Sequence, residues 1–485
     1  MPTVKLMLNS VVSENARILT MDISDFYLGT PMDRPEYMRI PAAHIPPPIV
    51  AKYSLQQYID KNNNILFEIN KTLWGLPQSG ILSKQRLCHH LAEHGYHECT
   101  LTSGLFRHTT LPVAFTLVVD DFLVKFHNRD DAQHLINALT LHGMYKVKVN
   151  ERADKYLGYN IVYSPDMREI SLSMPDSIAK IVVAHCHGVP PPPQLSPAQY
   201  TPPSLGVRGP QLTLTDFSPT LPPDQTKYIQ RVVGALLYYA LAVDCTLVPA
   251  VTAISSAQAT PTQAVLDALN HLLGYAAANP AATLVFRASD MRLHVGVDGS
   301  HLSRPNSRSV AGAFFYVGDT NDPTIINGPV ECMSTVIPVV TASAGETEYA
   351  SLFMAAQKAC PLRQTLHDLG YPQPATLIPV DNTCAVGLAN DIVKSRRSKS
   401  VDMRFHWIRD RVKQGQFKVI WREGQLNLAD FFTKPLPIKA FRRLRHFFVR
   451  LPGTPAPPAT PATRVTRTQP WHNNTLPDTF PTVTQ

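Results

Sequence analysis

Apolar residues along this chain fall into two patterned stretches, separated and followed by segments with no periodic pattern. In the first stretch, up to about His187, Phe115-Thr116-Leu117-Val118-Val119 runs into Asp120-Asp121 and is followed by Phe122-Leu123-Val124-Lys125-Phe126. Apolar runs on both sides of a polar pair predict a β-hairpin with the acids at its tip. Asp130 to Leu141 has helical spacing. Tyr156-Leu157-Gly158, then Ile161-Val162-Tyr163, a Pro165-Asp166 turn and Ile170-Ser171-Leu172 predict a second hairpin.

The second stretch starts near Gln225. Tyr228 to Ala242 and Ala264 to Ala277 read as helices, with Val232 to Val243 apolar enough to be buried. Leu293-His294-Val295-Gly296-Val297 alternates as a strand does and is expected to end at Asp298; Val310 to Val317 predicts a second strand. Glu346 to Leu369 is helical, with Pro361 expected to kink or break it. Leu377-Ile378-Pro379-Val380 is a strand leading into Asp381. Val401, Phe405, Ile408 and Val412 form one apolar stripe on a helix, with Arg404 and Arg411 off it.

Gly188 to Pro223, with four consecutive prolines from Pro190, reads as an extended linker, and Pro452 to Gln485, rich in Pro and Thr, as a disordered tail. The expected organisation is therefore 1–187, a linker over 188–224, a helical segment over 225–290, a second folded block over 291–450, and a tail over 451–485. A length of 485 residues suits about three units. No apolar run approaches the ~20 residues of a membrane span, and no secretory signal is visible at the N-terminus. Seven scattered cysteines without a CxxC pair argue for a reducing, intracellular compartment. His185-Cys186-His187 lacks the spacing and second ligand pair of a structural metal site.

The formal charge of +8 is unevenly spread. Lys394 to Arg450 holds 16 Lys+Arg against 4 Asp+Glu, a net of +12, while the remaining 428 residues sum to −4. The basic character is thus a local patch suited to an anionic partner.

Two sets of acids stand out: Asp22 with Asp120 and Asp121, and Asp298, Glu348, Asp381 and Asp430. Each has an ordinary explanation. Paired Asp at a hairpin tip is turn chemistry, an acid after a strand is often a helix cap, and Glu348 on a helix face would be solvated. Their order and context carry more. Asp22-Ile23-Ser24-Asp25-Phe26-Tyr27-Leu28-Gly29, Lys71-Thr72-Leu73-Trp74-Gly75-Leu76-Pro77-Gln78-Ser79-Gly80, Val118-Val119-Asp120-Asp121, Tyr156-Leu157-Gly158 and the apolar helix Tyr228 to Leu241 come first. Val297-Asp298-Gly299, Glu346-Thr347-Glu348-Tyr349-Ala350, Val380-Asp381-Asn382, Asp402-Met403-Arg404-Phe405-His406 and Asn427-Leu428-Ala429-Asp430 through Pro435 follow. In that order, over roughly residues 10 to 440, they resemble the reverse transcriptase–ribonuclease H region of copia-type long-terminal-repeat retrotransposons.

The resemblance implies an α+β polymerase palm, an antiparallel sheet with helices, joined to an α/β ribonuclease H-like domain. It assigns Asp22, Asp120 and Asp121 to one metal site and Asp298, Glu348, Asp381 and Asp430 to another. Each is expected to hold two Mg²⁺ (Mn²⁺ can substitute), which stabilise charge on the phosphates in the first site and activate water in the second. Tyr27 falls at the steric-gate position, Lys71 and Gln78 in the template- and nucleotide-contacting segment, and Lys394, Arg396, Arg397 and Lys399 on the hybrid's phosphates. Of Glu346 and Glu348, the latter is followed by Tyr-Ala-Ser-Leu, as the family's metal-bound acid is. The implied partners are an RNA template, a DNA primer, dNTPs and an RNA–DNA hybrid, with no membrane; oligomeric state is not implied. The chain departs from the family at Val118, where Tyr is usual, after Gly80, where aromatics are usual, and over Trp421 to Gln425, which lacks a His. It also starts just before the first palm motif, so the fingers are expected to be truncated. The expected functions are RNA-directed DNA synthesis with hybrid-directed RNA cleavage, ribonuclease H activity alone, or a relic that at most binds nucleic acid.

Overall fold

The computed structural model describes residues 1–201, 216–320, 326–392, 402–424 and 427–452. Lys394, Arg396, Arg397, Lys399, Val401 and the expected tail from 453 onward lie outside these residues, as does most of the later part of the proline-rich segment.

The first block is built on a six-stranded antiparallel sheet. Its central strands are Arg17–Ile23, Ala114–Val118 and Asp121–Phe126, with Arg17–Ile23 flanked by Asp121–Phe126 on one side and Val147–Asn150 on the other. Alternation dictates its two faces. Leu19, Met21, Phe122 and Val124 point into a core beneath the helices Ser79–Glu93 and Arg129–Thr140. Ile18, Leu123 and Ala114 point to the other face, into the main core.

That other face is covered by an element absent from the sequence expectations, the helix Pro2–Glu14. Val4, Leu6, Met7, Leu8 and Val11 are buried, so its apolar residues run nearly all round rather than along one stripe. Lys5 is buried as well and donates to the carbonyl of Leu241 at 2.7 Å. At its end Glu14 pairs with Lys125 at 2.9 Å and accepts the Tyr371 hydroxyl at 2.5 Å. Burial opposes the Glu14 charge, but Lys125 and hydrogen bonds from His127 and Tyr371 outweigh it and bring the carboxyl down to about 2.

The helices expected near 228–242 and 264–277 are Pro223–Ala242 and Gln263–Ala278, with a further helix, Val248–Ala257, between them. The region is not wholly helical. Thr283–Arg287 is a strand that pairs with Glu169–Ser173 and completes a sheet with the expected second hairpin. The described start of the proline-rich segment lies on the helix Gln263–Ala278, where Gly274 meets the Pro192 carbonyl so closely that a Cβ would collide at 2.1 Å. It is extended, but packed.

The second block has an antiparallel sheet of Arg292–Arg304, Arg308–Gly318 and Glu331–Val336, then the helix Ala344–Asp368, then a parallel pair, Thr376–Val380 and Phe417–Trp421. One expectation is corrected here and one is narrowed. The strand through Val297 does not stop at Asp298 but runs to Arg304, because its last residues still pair with Arg308–Gly318. Pro361 does not break its helix, which is continuous from Ala344 to Asp368. His185 and Cys186 end a helix and His187 is its left-handed cap; among the described residues no metal grouping forms there. Ile408 of the expected stripe is fully buried on the helix Asp402–Lys413. No described helix is long and apolar enough to cross a membrane.

Candidate functional site

Asp298, Glu348 and Asp381 come from three elements, yet their carboxylate oxygens lie within 4.8 Å of one another. Asp298 and Glu348 are buried, at 4% and 6% exposure. Asp298 sits mid-strand and Asp381 at the end of Thr376–Val380, so neither is a helix cap. Asn382 caps the following helix instead, accepting the Ala385 N–H at 3.1 Å. Glu348 enters from the helix Ala344–Asp368, whose start is fixed by Ser343 accepting the Glu346 N–H at 3.2 Å. Glu346 accepts the Ala342 N–H at 2.7 Å, a capping-box-like exchange that turns it away from the acids.

Electrostatics follow from that crowding. Burial first, then the charges of Asp298 and Asp381, push Glu348 up to about 9, against a hydrogen bond from the Gly299 N–H at 3.0 Å. Burial, then Asp430, push Asp298 up to about 7, although Thr433 Oγ1 donates to it at 2.6 Å. Burial and Asp430 also raise Asp381. Asp430 stands on the short helical turn Leu428–Phe432, paired with Lys434 at 3.1 Å. Glu348 Oε2 is buried without a hydrogen-bond partner. An oxygen-only donor set with an orphaned buried carboxylate atom fits a hard divalent cation, which would replace the missing partner and relieve the repulsion.

Several residues of this site were not assigned roles from sequence. Thr433 and Asn427 bond Asp298, the latter at 3.4 Å and also to the Val297 carbonyl at 2.9 Å. Gly299 is pressed against the helix, where a Cβ would meet Ser351 Oγ at 2.8 Å and Glu348 N at 3.1 Å. Gly424 lies against Asp381, where a Cβ would meet Oδ2 at 2.8 Å. All four fall inside or beside the quoted motifs, so the signal was present, but their contacts are long-range.

In the first block, Asp22 and Asp121 are directly opposite on neighbouring strands, with Asp120 at the turn. Val119 in that turn has φ +62°, a left-handed conformation that costs a β-branched residue about 1–3 kcal/mol. Asp22 lies 3.6 Å from Lys148. Burial and then Asp22 raise Asp120; burial, then Asp120 and Asp22, raise Asp121. Asp22 and Asp121 line a cleft of about 440 Å³ with Lys148, Lys155, Tyr156 and Lys180. Tyr156 donates to the Asp121 carbonyl at 3.3 Å, and Leu157 and Gly158 make a two-residue turn with positive φ, which places that hairpin at the acids. Among the described residues, Asp298, Glu348 and Asp381 are the only three that reach metal-site spacing. Tyr27 does not line the cleft; it packs edge-on to Trp74, with ring centroids 6.0 Å apart. Lys71 is exposed, and Gln78 donates to Glu36 at 3.1 Å.

A family described as reverse transcriptase (RNA-dependent DNA polymerase) matches residues 1–187. The Pol polyprotein of transposon RE2 from Arabidopsis thaliana is 24% identical over 455 residues, 91% of this chain and 28% of the relative. The Ty1-NL2 Gag-Pol polyprotein of Saccharomyces cerevisiae is 24% identical over 468 residues, again 91% of this chain and 24% of the relative. The chain is related to the reverse transcriptase and ribonuclease H regions of copia- and Ty1-type retroelement Pol polyproteins. It spans about a quarter of the length of these two relatives. Among solved structures, a ribonuclease H1 from compost in complex with an RNA/DNA hybrid is 14% identical, covering 29% of this chain and 93% of its own, at a TM-score of 0.23. The N-terminal ribonuclease H domain of a Mycobacterium tuberculosis protein aligns at 15% identity over 32% of this chain and 97% of its own, with a TM-score of 0.22.

Proposed function

We propose that this Pol-related chain cleaves the RNA strand of RNA–DNA hybrids in its second block and extends DNA primers on RNA templates in its first. The observation that carries the reading is the convergence of Asp298, Glu348 and Asp381, with Glu348 Oε2 buried and unpartnered. Asp298, Glu348, Asp381 and Asp430 would hold divalent cations, Mg²⁺ first and Mn²⁺ as substitute. Once bound, the cations supply Lewis-acid stabilisation of phosphate charge and an ionised water. The protein's own part is positional: Thr433 and Asn427 orient Asp298, and the Gly299 N–H orients Glu348. Exposed Arg422 and the four basic residues Lys394, Arg396, Arg397 and Lys399 are proposed contacts for the hybrid's phosphates.

The polymerase reading rests on the register of Asp22 against Asp121, and on the Tyr156 hairpin beside a cleft lined by Lys148, Lys155 and Lys180 as well as by Asp22, Asp121 and Asp176, where a template–primer would lie. Ribonuclease H activity alone is the second reading, favoured by the fact that, among the described residues, only Asp298, Glu348 and Asp381 reach metal-site spacing.

Hybrid cleavage with Mg²⁺ is expected to vanish in Glu348→Gln and to persist in Glu346→Gln; the opposite pattern refutes the assignment. Primer extension on RNA no greater than that of Asp120→Asn would remove the polymerase claim and leave the second reading.

A further inference from the structure

We propose that His301 is a positioning residue of the acidic site, holding Glu348 in place against Asp298 through the Thr347 hydroxyl. The proposal rests on the ribonuclease H reading above and deepens it.

A buried chain of hydroxyls lies behind the acids. The Leu302 N–H donates to Ser309 Oγ at 3.0 Å, Ser309 and Thr341 are 2.8 Å apart, and Thr341 and Thr347 are 2.6 Å apart. Thr347 donates to the Ser343 carbonyl at 3.2 Å, and His301 Nδ1 lies 2.8 Å from Thr347 Oγ1. Ser309, Thr341 and Thr347 are buried. One assignment of protons satisfies every member: Ser309 donates to Thr341, Thr341 to Thr347, and Thr347 to the helix carbonyl. Thr347 Oγ1 then accepts from both Thr341 and the protonated Nδ1 of His301. A fully satisfied buried network of this kind rigidifies what it joins.

What it joins is the two arms of the site. Asp298 and His301 lie on one strand, Thr347 and Glu348 are consecutive on the helix, and the carboxylates of Asp298 and Glu348 meet within 4.8 Å. Strand, hydrogen bond, helix turn and acid pair form a closed ring. The strand is irregular here: its register shifts between Ser300 and Arg304, and Leu302 has φ +51°. Bulges of this sort re-aim side chains next to functional sites, and this one turns His301 toward the helix. The Gly299 N–H, bonded to Glu348 Oε1 at 3.0 Å, makes the second link between the same strand and helix. The hydrogen bonds of His301 run to Thr347 and Thr341, at 2.8 and 3.3 Å, and it acts on the acids through Thr347.

The test uses the full chain and two readouts, steady-state hybrid cleavage and Mn²⁺ affinity by calorimetry. His301→Phe and Thr347→Val are expected to lower kcat by about 10–100-fold, the usual effect of removing a partner that orients a metal ligand. They should weaken Mn²⁺ binding and leave KM for the hybrid within about twofold. His301→Asn, whose amide N–H takes the place of Nδ1–H, and Thr347→Ser should restore both. Wild-type kcat and Mn²⁺ affinity in His301→Phe overturn the proposal, as does a loss in His301→Asn equal to that in His301→Phe. A rise in KM alone would make His301 a substrate contact and also overturn it. If His301→Phe does not fold, Thr347→Val against Thr347→Ser decides. If the wild-type chain binds Mn²⁺ but cleaves no hybrid, the ribonuclease H reading fails and the Mn²⁺ affinities alone judge His301. A wild-type chain that does neither overturns both.

Discussion

Glu348 shows how burial converts an ordinary carboxyl into a poised one. On an exposed helix face it would ionise near its usual value of 4.5; beside Asp298 and Asp381 and away from water it is held up to about 9. A carboxyl raised by folding contributes stability fully present below its unfolded value and lost as pH rises through the folded one. Metal-free protein should therefore lose stability between about pH 4.5 and 9. Replacing Glu348 with Gln should raise Tm, and the gain should be larger near the top of that range than near its bottom. Thermal melts in chelator across the range check this; a gain that shrinks with pH would contradict it. Saturating Mn²⁺ should reverse the order, since only the ionised carboxylate binds it.

The element that organises the molecule is the helix Pro2–Glu14, and nothing in the chain's amphipathic pattern announced it. Its apolar residues are not confined to one face because it lies between the six-stranded sheet and the second block, with protein on nearly every side. Glu14 ties it to Lys125 in one block and Tyr371 in the other. Its carboxyl is depressed from an ordinary 4.5 to about 2, so the stability it contributes is present above its unfolded value and lost as pH falls toward 2. Lys125→Met removes the lysine from a largely buried carboxylate, which keeps only His127 and the Tyr371 hydroxyl, and should cost about 3–5 kcal/mol. It should also move the acid-unfolding midpoint to higher pH, which equilibrium denaturation at neutral and acid pH would reveal. By contrast, the hairpin carrying Asp120-Asp121 was legible, because apolar runs interrupted by two polar residues depend only on local sequence. The end of the strand past Asp298 was not: its last residues are kept in the sheet by pairing with Arg308–Gly318.

At the scale of the whole molecule, the +12 segment divides. It is not one substrate-facing patch. Arg445 is buried against Asp244 at 2.7 Å and lies over Tyr275, and Arg450 makes a bidentate pair with Glu169. Arg409 and Lys413 pair with Asp391. Arg445 and Arg450 staple the last elements onto the first block and the helices between. Arg422, Lys439, Arg442 and Arg443 remain exposed. Arg445→Met should thus cost about 3–5 kcal/mol by stranding Asp244, while leaving the salt dependence of hybrid binding unchanged. Neutralising Lys394, Arg396, Arg397 and Lys399 together should flatten the log–log salt slope by roughly one unit for each phosphate that these side chains neutralise in the wild type. Binding titrations over a salt series, with melting as the parallel measurement, separate the two; a flatter slope in Arg445→Met would be inconsistent with this division.

Sequence alone determined the identity and order of the acids, the hairpins and helices that carry most of them, and the kinship those motifs express. These are local facts, set by residue type and period. Tertiary structure decided which acids meet, that Glu346 caps while Glu348 turns inward, and that Thr433 and Asn427 support Asp298. It also decided that part of the apparent basic patch is internal mortar. Charge and burial are properties of neighbours in space, and residues 298, 348 and 381 become neighbours only once three elements have packed.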